Sequence, residues 1–238
     1  MAVGRSSIIA GIAGLVIGGG AVALASGGVD TDGTDRARVE GIVKSYLLEN
    51  PQIIPEAMEV LRNRDTANVV KANRTALEKP FAGAWAGAED GDVVLVQFFD
   101  YACGFCRKSN PDIDRLIAED KKLKVVWREL PVLGPDSQAA AELSLAAAKQ
   151  GRFRQFHERL FEAGRPAPEA VAQVRQQLGV RPMPGDADAQ AEMAKNFQLA
   201  RSIGATGTPT FVVGDKVLQG AVGYDALKEA IGQARRRS

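Results

Sequence analysis

At 238 residues, 45% hydrophobic and 25% charged, the chain has material for one sizeable core and an appendage, but hardly for two full domains. Thirty Lys and Arg against 29 Asp and Glu leave no overall charge that would select nucleic acid or an acidic polymer, and none is expected as a partner. The two cysteines lie three positions apart, so no disulfide framework exists beyond that pair; with His157 as the lone histidine, a zinc site would lack its usual four ligands and no metal site is read here.

Residues 1–25 read as an export segment. Arg5 supplies a minimal basic start, Ile8 to Leu24 is apolar and glycine-rich, and Ala23-Leu24-Ala25 is a small-residue cleavage pattern. Left uncleaved, the charge-free run from Ser6 to Ser26 approaches the roughly 20 residues that span a bilayer. As signal peptide or as membrane anchor, it places the rest of the chain outside the cytoplasm, in the periplasm. Residues 26–34, rich in Gly, Asp and Thr, read as a linker.

An N-terminal helical segment is expected over 35–79. Val39, Ile42, Val43, Tyr46 and Leu47 recur at helical spacing, Asn50-Pro51 interrupts them, and Ile53, Ile54, Met58 and Leu61 resume in a second helix. A third, weaker piece covers Ala67 to Leu77. The apolar stripe these helices carry must bury itself on the following domain or on another chain.

A catalytic domain is expected over 80–238. The β-branched and aromatic run Val93 to Phe99 reads as a central buried strand. A helix follows from about Cys106 to Ala118, with Pro111 inside it, then a second strand from Lys124 to Leu130. Helices at 137–149, 153–163, 169–178 and 192–203 make a helical insertion over about 135–203. Thr210 to Val213 and Lys216 to Gln219 form a hairpin about Gly214-Asp215, and a closing helix from Tyr224 ends in Arg235-Arg236-Arg237, a solvated cationic helix end. Strands alternating with helices give an α/β fold.

Cys103-Gly104-Phe105-Cys106 at the mouth of a helix is suited to thiol–disulfide exchange. The unpaired N–H groups and positive dipole end of the first turn stabilise a Cys103 thiolate below the free thiol pKa of about 8.5. Cys103 is therefore the candidate nucleophile, and Cys106, one turn on and more covered, the candidate resolving thiol. Gly104 and Phe105 tune the couple without adding a charge or hydrogen bond, and the pair itself is the redox centre, with no further cofactor. Far along the chain, Gly207-Thr208-Pro209-Thr210 puts a proline at a strand entry, where its missing N–H is tolerated. His157, between apolar positions of its helix, reads as structural or solvent-facing.

The stretch from Gln97 to Lys108, the segment Glu129-Leu130-Pro131-Val132-Leu133-Gly134 followed by Ser137, and Gly204 to Gly214 together resemble the DsbA-like branch of the thioredoxin superfamily. The resemblance covers roughly Phe81 to the C-terminus. It implies a thioredoxin fold with an inserted helical domain, a cis Thr208-Pro209 pair packed against the disulfide, and Thr208 as a backbone contact for an incoming peptide. Asp100 and Tyr101 match the signature without a separate role being assigned. Gln97 departs from it, since the branch usually has a buried glutamate there that tunes the resolving thiol. A neutral amide cannot titrate, so proton exchange with Cys106 would need water or another group.

Tyr46 to Pro51, through Glu59-Val60-Leu61, is similar to the N-terminal region of ScsC-type, suppressor-of-copper-sensitivity proteins, several of which form trimers through it. The resemblance implies a disulfide oxidoreductase or isomerase acting on exported proteins, a membrane redox partner, and a homotrimer through residues 35–75. Two other readings stay open: a monomeric dedicated oxidase, and a copper-tolerance protein holding Cu(I) between the two thiolates.

Overall fold

The computed structural model describes residues 31–237, with side chains from residue 35 onward; the expected signal or anchor over 1–25 and residues 26–30 of the linker lie outside the described residues. The described chain falls into two compact units that divide between Glu59 and Val60.

Helix α1 covers Thr31–Glu49 and so takes in the last residues assigned to the linker. Helix α2, Ile53–Glu78, absorbs the separate third piece, because nothing between Glu56 and Glu78 is Pro or Gly and a thinning apolar stripe is no break. The stripe has two fates. Within the first unit Val39, Ile42, Val43, Tyr46, Leu48, Ile54 and Met58 are all exposed. In the second unit Val70 and Leu77 of α2 are buried in a core cluster with Val96, Phe98 and Val126.

The second unit is built on a five-stranded sheet in the order β1-β3-β2-β4-β5. Its strands are β1 Trp85–Gly87, β2 Val93–Phe99, β3 Leu123–Glu129, β4 Thr210–Val213 and β5 Lys216–Gln219. β2 runs parallel to β3 and antiparallel to β4, while β1 and β5 join the edges antiparallel. Strand β1 is absent from the sequence reading: three residues are too few to show an alternation. Gly87 permits it, for at φ 90° a Cβ there would lie 2.2 Å from the Leu123 carbonyl oxygen. The β4–β5 turn is the expected two-residue hairpin, with Val213 opposite Lys216 and Gly214 at φ 56°.

Helix α3, Gly104–Glu119, follows β2, and α8, Tyr224–Arg235, closes the chain. Between β3 and β4 lie the four insertion helices, α4 Pro135–Lys149, α5 Phe153–Ala163, α6 Pro168–Leu178 and α7 Ala187–Ser202. α7 starts five residues before the expected Glu192, because Asp186 caps it by accepting from the Asp188 and Ala189 N–H groups. The period of two along β2 and β3 sorts side chains onto two cores. Leu95, Phe99, Val125 and Trp127 face a cluster that includes α3, α4, α5 and α8, whereas Val96, Phe98 and Val126 face the cluster of α2 and α7. This division decides what the active-site helix rests on.

Candidate active site

The end of β2 delivers the chain into a tight turn that Asp100 holds. Its Oδ1 accepts from Ala102 N (2.8 Å), and its Oδ2 accepts from Val132 N (2.8 Å) and Leu133 N (2.9 Å). One buried carboxylate thus fixes the approach to Cys103 and pins the β3–α4 loop beside it. The Asp100–Ala102 part is an Asx-turn, which the sequence pattern alone can suggest; the Val132 and Leu133 bonds are long-range.

Cys103 is the N-cap of α3, in extended conformation, and its Sγ accepts from Cys106 N at 3.4 Å. The helix therefore begins at Gly104, earlier than the expected Cys106, and both cysteines lie at its first turn as the chemistry requires. The Thr208 carbonyl oxygen is 3.1 Å from Cys103 Sγ, and the Thr208–Pro209 peptide is cis. Thr208 is half-buried and Pro209 buried. Thr210 Oγ1 lies 2.7 Å from the Gly207 carbonyl oxygen and 2.9 Å from Gln219 Oε1, which ties this segment to β5. Residues more than a hundred positions apart in sequence meet at one sulfur.

The two sulfurs differ sharply. Hydrogen bonding from Cys106, opposed by burial and helped by Thr208 and the Cys106 and Phe105 backbone, holds the Cys103 thiol down to about 5. Cys106 is fully buried, and that burial, with the neighbouring Cys103 sulfur, pushes its thiol up beyond the ordinary range. Cys103 retains 6% exposure against 0% for Cys106. Gly104 and Phe105 are both exposed, and no atom lies within 4 Å of where a Gly104 Cβ would stand. Phe105, on the first turn of α3, is exposed, as are Val132 and Leu133, whose N–H groups Asp100 holds; after Leu61, the only other exposed large hydrophobic side chain among the described residues is Met183.

Gln97 is fully buried on the sheet face that carries α3, between Trp127 of β3 and Phe211 of β4, and neither side-chain polar atom has a hydrogen-bond partner. His157 is core rather than surface. It stacks on Phe153 at 5.4 Å and contacts Phe99, Tyr101, Trp127 and Phe161, and burial together with the Arg154 charge drives its pKa well below the ordinary imidazole value. It is thereby a neutral imidazole. Tyr101, one residue past Asp100, reaches this cluster through its hydroxyl, 2.8 Å from Ser144 Oγ and 3.4 Å from His157 Nδ1. Sequence reasoning missed this link and missed Glu129, a buried carboxyl at the end of β3. Among the described residues no group of three or more His, Cys, Asp or Glu is arranged to hold a metal ion, and no helix is long and apolar enough to cross a membrane.

Comparison with known proteins agrees with this architecture. The profile of the DSBA-like thioredoxin domain matches residues 94–232, and that of the copper resistance protein ScsC N-terminal domain matches residues 35–67. A solved linker-deletion variant of Proteus mirabilis ScsC superposes with a TM-score of 0.70 at 25% identity, covering 85% of this chain and 96% of that one. Disulfide bond formation protein D of Bacillus subtilis is 28% identical over 164 residues, 61% of this chain and 73% of that protein. The Na(+)/H(+) antiporter NhaA 3 of Salinispora tropica is 30% identical over 156 residues, 62% of this chain; the match spans only 24% of the antiporter's own length. With more than half its length matched from the central strand to the closing helix, the chain belongs to the DSBA-like thioredoxin family.

Proposed function

We propose that the chain catalyses thiol–disulfide exchange in exported proteins, with Cys103 as nucleophile and Cys106 as resolving thiol. The observation that carries this reading is the division of labour between the two sulfurs: one held as a reachable thiolate, the other buried and protonated. A pKa of about 5 keeps Cys103 ionised at neutral pH and makes it a good leaving group.

In the oxidising direction a client thiolate attacks Cys103 Sγ of the Cys103–Cys106 disulfide; the S–S bond breaks and its electron pair leaves on Cys106. A second client thiolate then attacks the client sulfur of the mixed disulfide, the client disulfide forms, and Cys103 departs as thiolate. In isomerisation the Cys103 thiolate opens a wrong client disulfide and forms a mixed disulfide with one of its sulfurs; a different client thiolate then attacks that client sulfur, forms the new client disulfide and releases Cys103 as thiolate, with no net change in electrons. Thr208 and Pro209, against the Cys103 sulfur, serve as the peptide-binding edge, and Phe105, Val132 and Leu133 offer the apolar surface an unfolded client would cover. The reduced pair is recycled by a membrane redox partner, and the N-terminal segment exports the domain to the periplasm.

The exposed stripe from Val39 to Met58, with the ScsC-type match over it, supports self-association through the first unit, so that several Cys pairs share one client. That arrangement favours isomerisation. The division between Glu59 and Val60 dictates the test, since a deletion reaching residue 75 would remove Val70 from the core. The full soluble chain and a variant lacking residues 35–59 are compared in mass, insulin reduction and refolding of scrambled ribonuclease, and thiolate absorbance is titrated on the reduced protein. A midpoint near 5, insulin reduction by both, and isomerisation by the full chain alone are expected. A full chain without insulin reduction overturns the exchange reading; equal isomerisation by both overturns the role given to the first unit.

A further inference from the structure

The exchange reading leaves one proton unassigned. When the Cys103–Cys106 disulfide opens, the electron pair lands on a sulfur with no exposure to solvent, where burial disfavours the thiolate. A proton must reach Cys106 from within the protein. Gln97, on the same sheet face, has none to give, because an amide does not titrate.

The buried groups around this point can be sorted by what they are free to do. The Asp100 carboxylate is committed to three backbone N–H groups. Burial drives the Tyr101 hydroxyl pKa well above its ordinary value, with the Glu129 charge adding to the rise. His157 is held neutral, and the Arg154 charge behind it opposes protonation. Glu129 is different in kind. It is 2% exposed, both carboxyl oxygens lack any hydrogen-bond partner, and burial, reinforced by the Asp100 charge and partly offset by Ser144, holds it well above the ordinary carboxylate range. A carboxyl in that setting is a stored proton.

Its position fits the need. On β3 the side chains of Val125 and Trp127 belong to the core cluster that contains Cys106, and the strand period puts Glu129 on that face. Glu129 is paired in register with Phe99, the last residue of β2. The next residue, Asp100, presents its backbone N–H to the Cys106 sulfur. The carboxyl and the sulfur therefore flank the same strand end. Neither the β2 sequence nor the Cys motif contains this acid; it arrives from the neighbouring strand.

We propose that Glu129, on β3, is the proton donor to Cys106 during disulfide opening. The client thiolate attacks Cys103 Sγ, the Cys103–Cys106 bond breaks, and the pair on Cys106 takes the proton from the Glu129 carboxyl. Cys106 ends as a thiol and Glu129 as a carboxylate, so the buried negative charge moves from sulfur to oxygen beside the Ser144 and Tyr101 hydroxyls; solvent then reprotonates Glu129. Reoxidation reverses both steps: Glu129 first gives its proton to solvent, and the carboxylate then takes the Cys106 proton as the disulfide closes.

The test uses the oxidised full-length protein reduced by dithiothreitol. Infrared spectra of the wild type should contain a protonated-carboxyl C=O band that shifts in D2O and is missing from Glu129→Gln. Reduction of Glu129→Gln should be about a hundredfold slower, the size of a typical general-acid contribution, and should lose the solvent isotope effect of the wild type. The Cys103 thiolate midpoint near 5 should not move, which a general loss of structure would not permit. A wild type lacking the carboxyl band overturns the proposal without recourse to any variant, as does a Glu129→Gln protein reduced at the wild-type rate. A wild type that dithiothreitol does not reduce overturns the exchange reading instead.

Discussion

Arg128 and Glu129 are neighbours in β3, both buried, and they face opposite cores. Arg128 points toward α2 and α7 with every direction of its guanidinium used. Nε donates to the Leu77 carbonyl (2.9 Å), Nη1 to Glu192 Oε1 (2.7 Å) and Asn196 Oδ1 (2.8 Å), and Nη2 to the carbonyls of Lys79 (2.7 Å) and Ala76. It neutralises the free carbonyl end of α2 and pairs with a carboxylate that is itself almost buried. Glu129 faces the active-site core with neither oxygen bonded. Both residues lose their hydration on folding, but only the fold's own groups replace it for Arg128. A satisfied buried ion holds structure together; an unbonded buried carboxyl at the end of the neighbouring strand is where function is to be sought.

The comparison breaks most readily at Arg128. Arg128→Ala strips the α2 carbonyls of their donor and leaves the nearly buried Glu192 with only the more exposed Lys195 at 3.3 Å, so the loss should be about 3 kcal/mol in urea unfolding. A loss below about 1 kcal/mol would place the residue with exposed ion pairs and remove the contrast.

Glu129→Gln should behave in the opposite sense. The folded pKa of Glu129 is raised, so its contribution to stability is complete below the unfolded value of about 4.3 and is lost as pH rises toward the folded value. Glutamine carries no such dependence. The variant should therefore gain on the wild type as pH rises from 4.5 toward 7, by up to about 1.4 kcal/mol per pH unit until the folded value is passed. Cys103 titrates in both proteins and cancels in the difference. A stability difference that is flat over this range would mean that Glu129 folds as a carboxylate, and the two neighbours would no longer differ in kind.

Much of this site is written in short-range pattern. The β-branched and aromatic run of Val93 to Phe99, the hairpin at Gly214-Asp215 and the Cys103-Gly104-Phe105-Cys106 motif each announce themselves within ten residues, and Thr208-Pro209 gains its meaning from the Cys pair. Period two along β3 already puts Val125, Trp127 and Glu129 on one buried face, so the location of the acid was legible although its surroundings were not. Those surroundings come from Ser144 of α4 and from Tyr101, and no spacing rule predicts such meetings. His157 illustrates the same limit: Phe153 and Phe161, four residues to either side, mark a helix face, but only the insertion's packing shows that this face is the interior. The apolar stripe of the N-terminal helices divides, buried at Val70 and Leu77 and exposed from Val39 to Met58, because α2 crosses from one unit into the other and the sequence has no mark at Glu59.

The gentlest test falls on the link between these regions. Tyr101→Phe keeps the ring and its edge-to-face packing on Phe99 at 5.1 Å, and removes only the hydroxyl that joins Ser144 to His157. Were those groups left stranded, each would cost on the order of 1–3 kcal/mol. Ser144 has an alternative, however, since its hydroxyl can turn to the unpartnered Glu129 carboxyl. The expected loss is therefore only about 1 kcal/mol, and it should grow in the Tyr101→Phe, Glu129→Leu double variant, which removes the acceptor that absorbs the change. Strict additivity in that cycle would show that Ser144 and Glu129 do not communicate, and would leave the Glu129 proton without the hydroxyl that receives its charge.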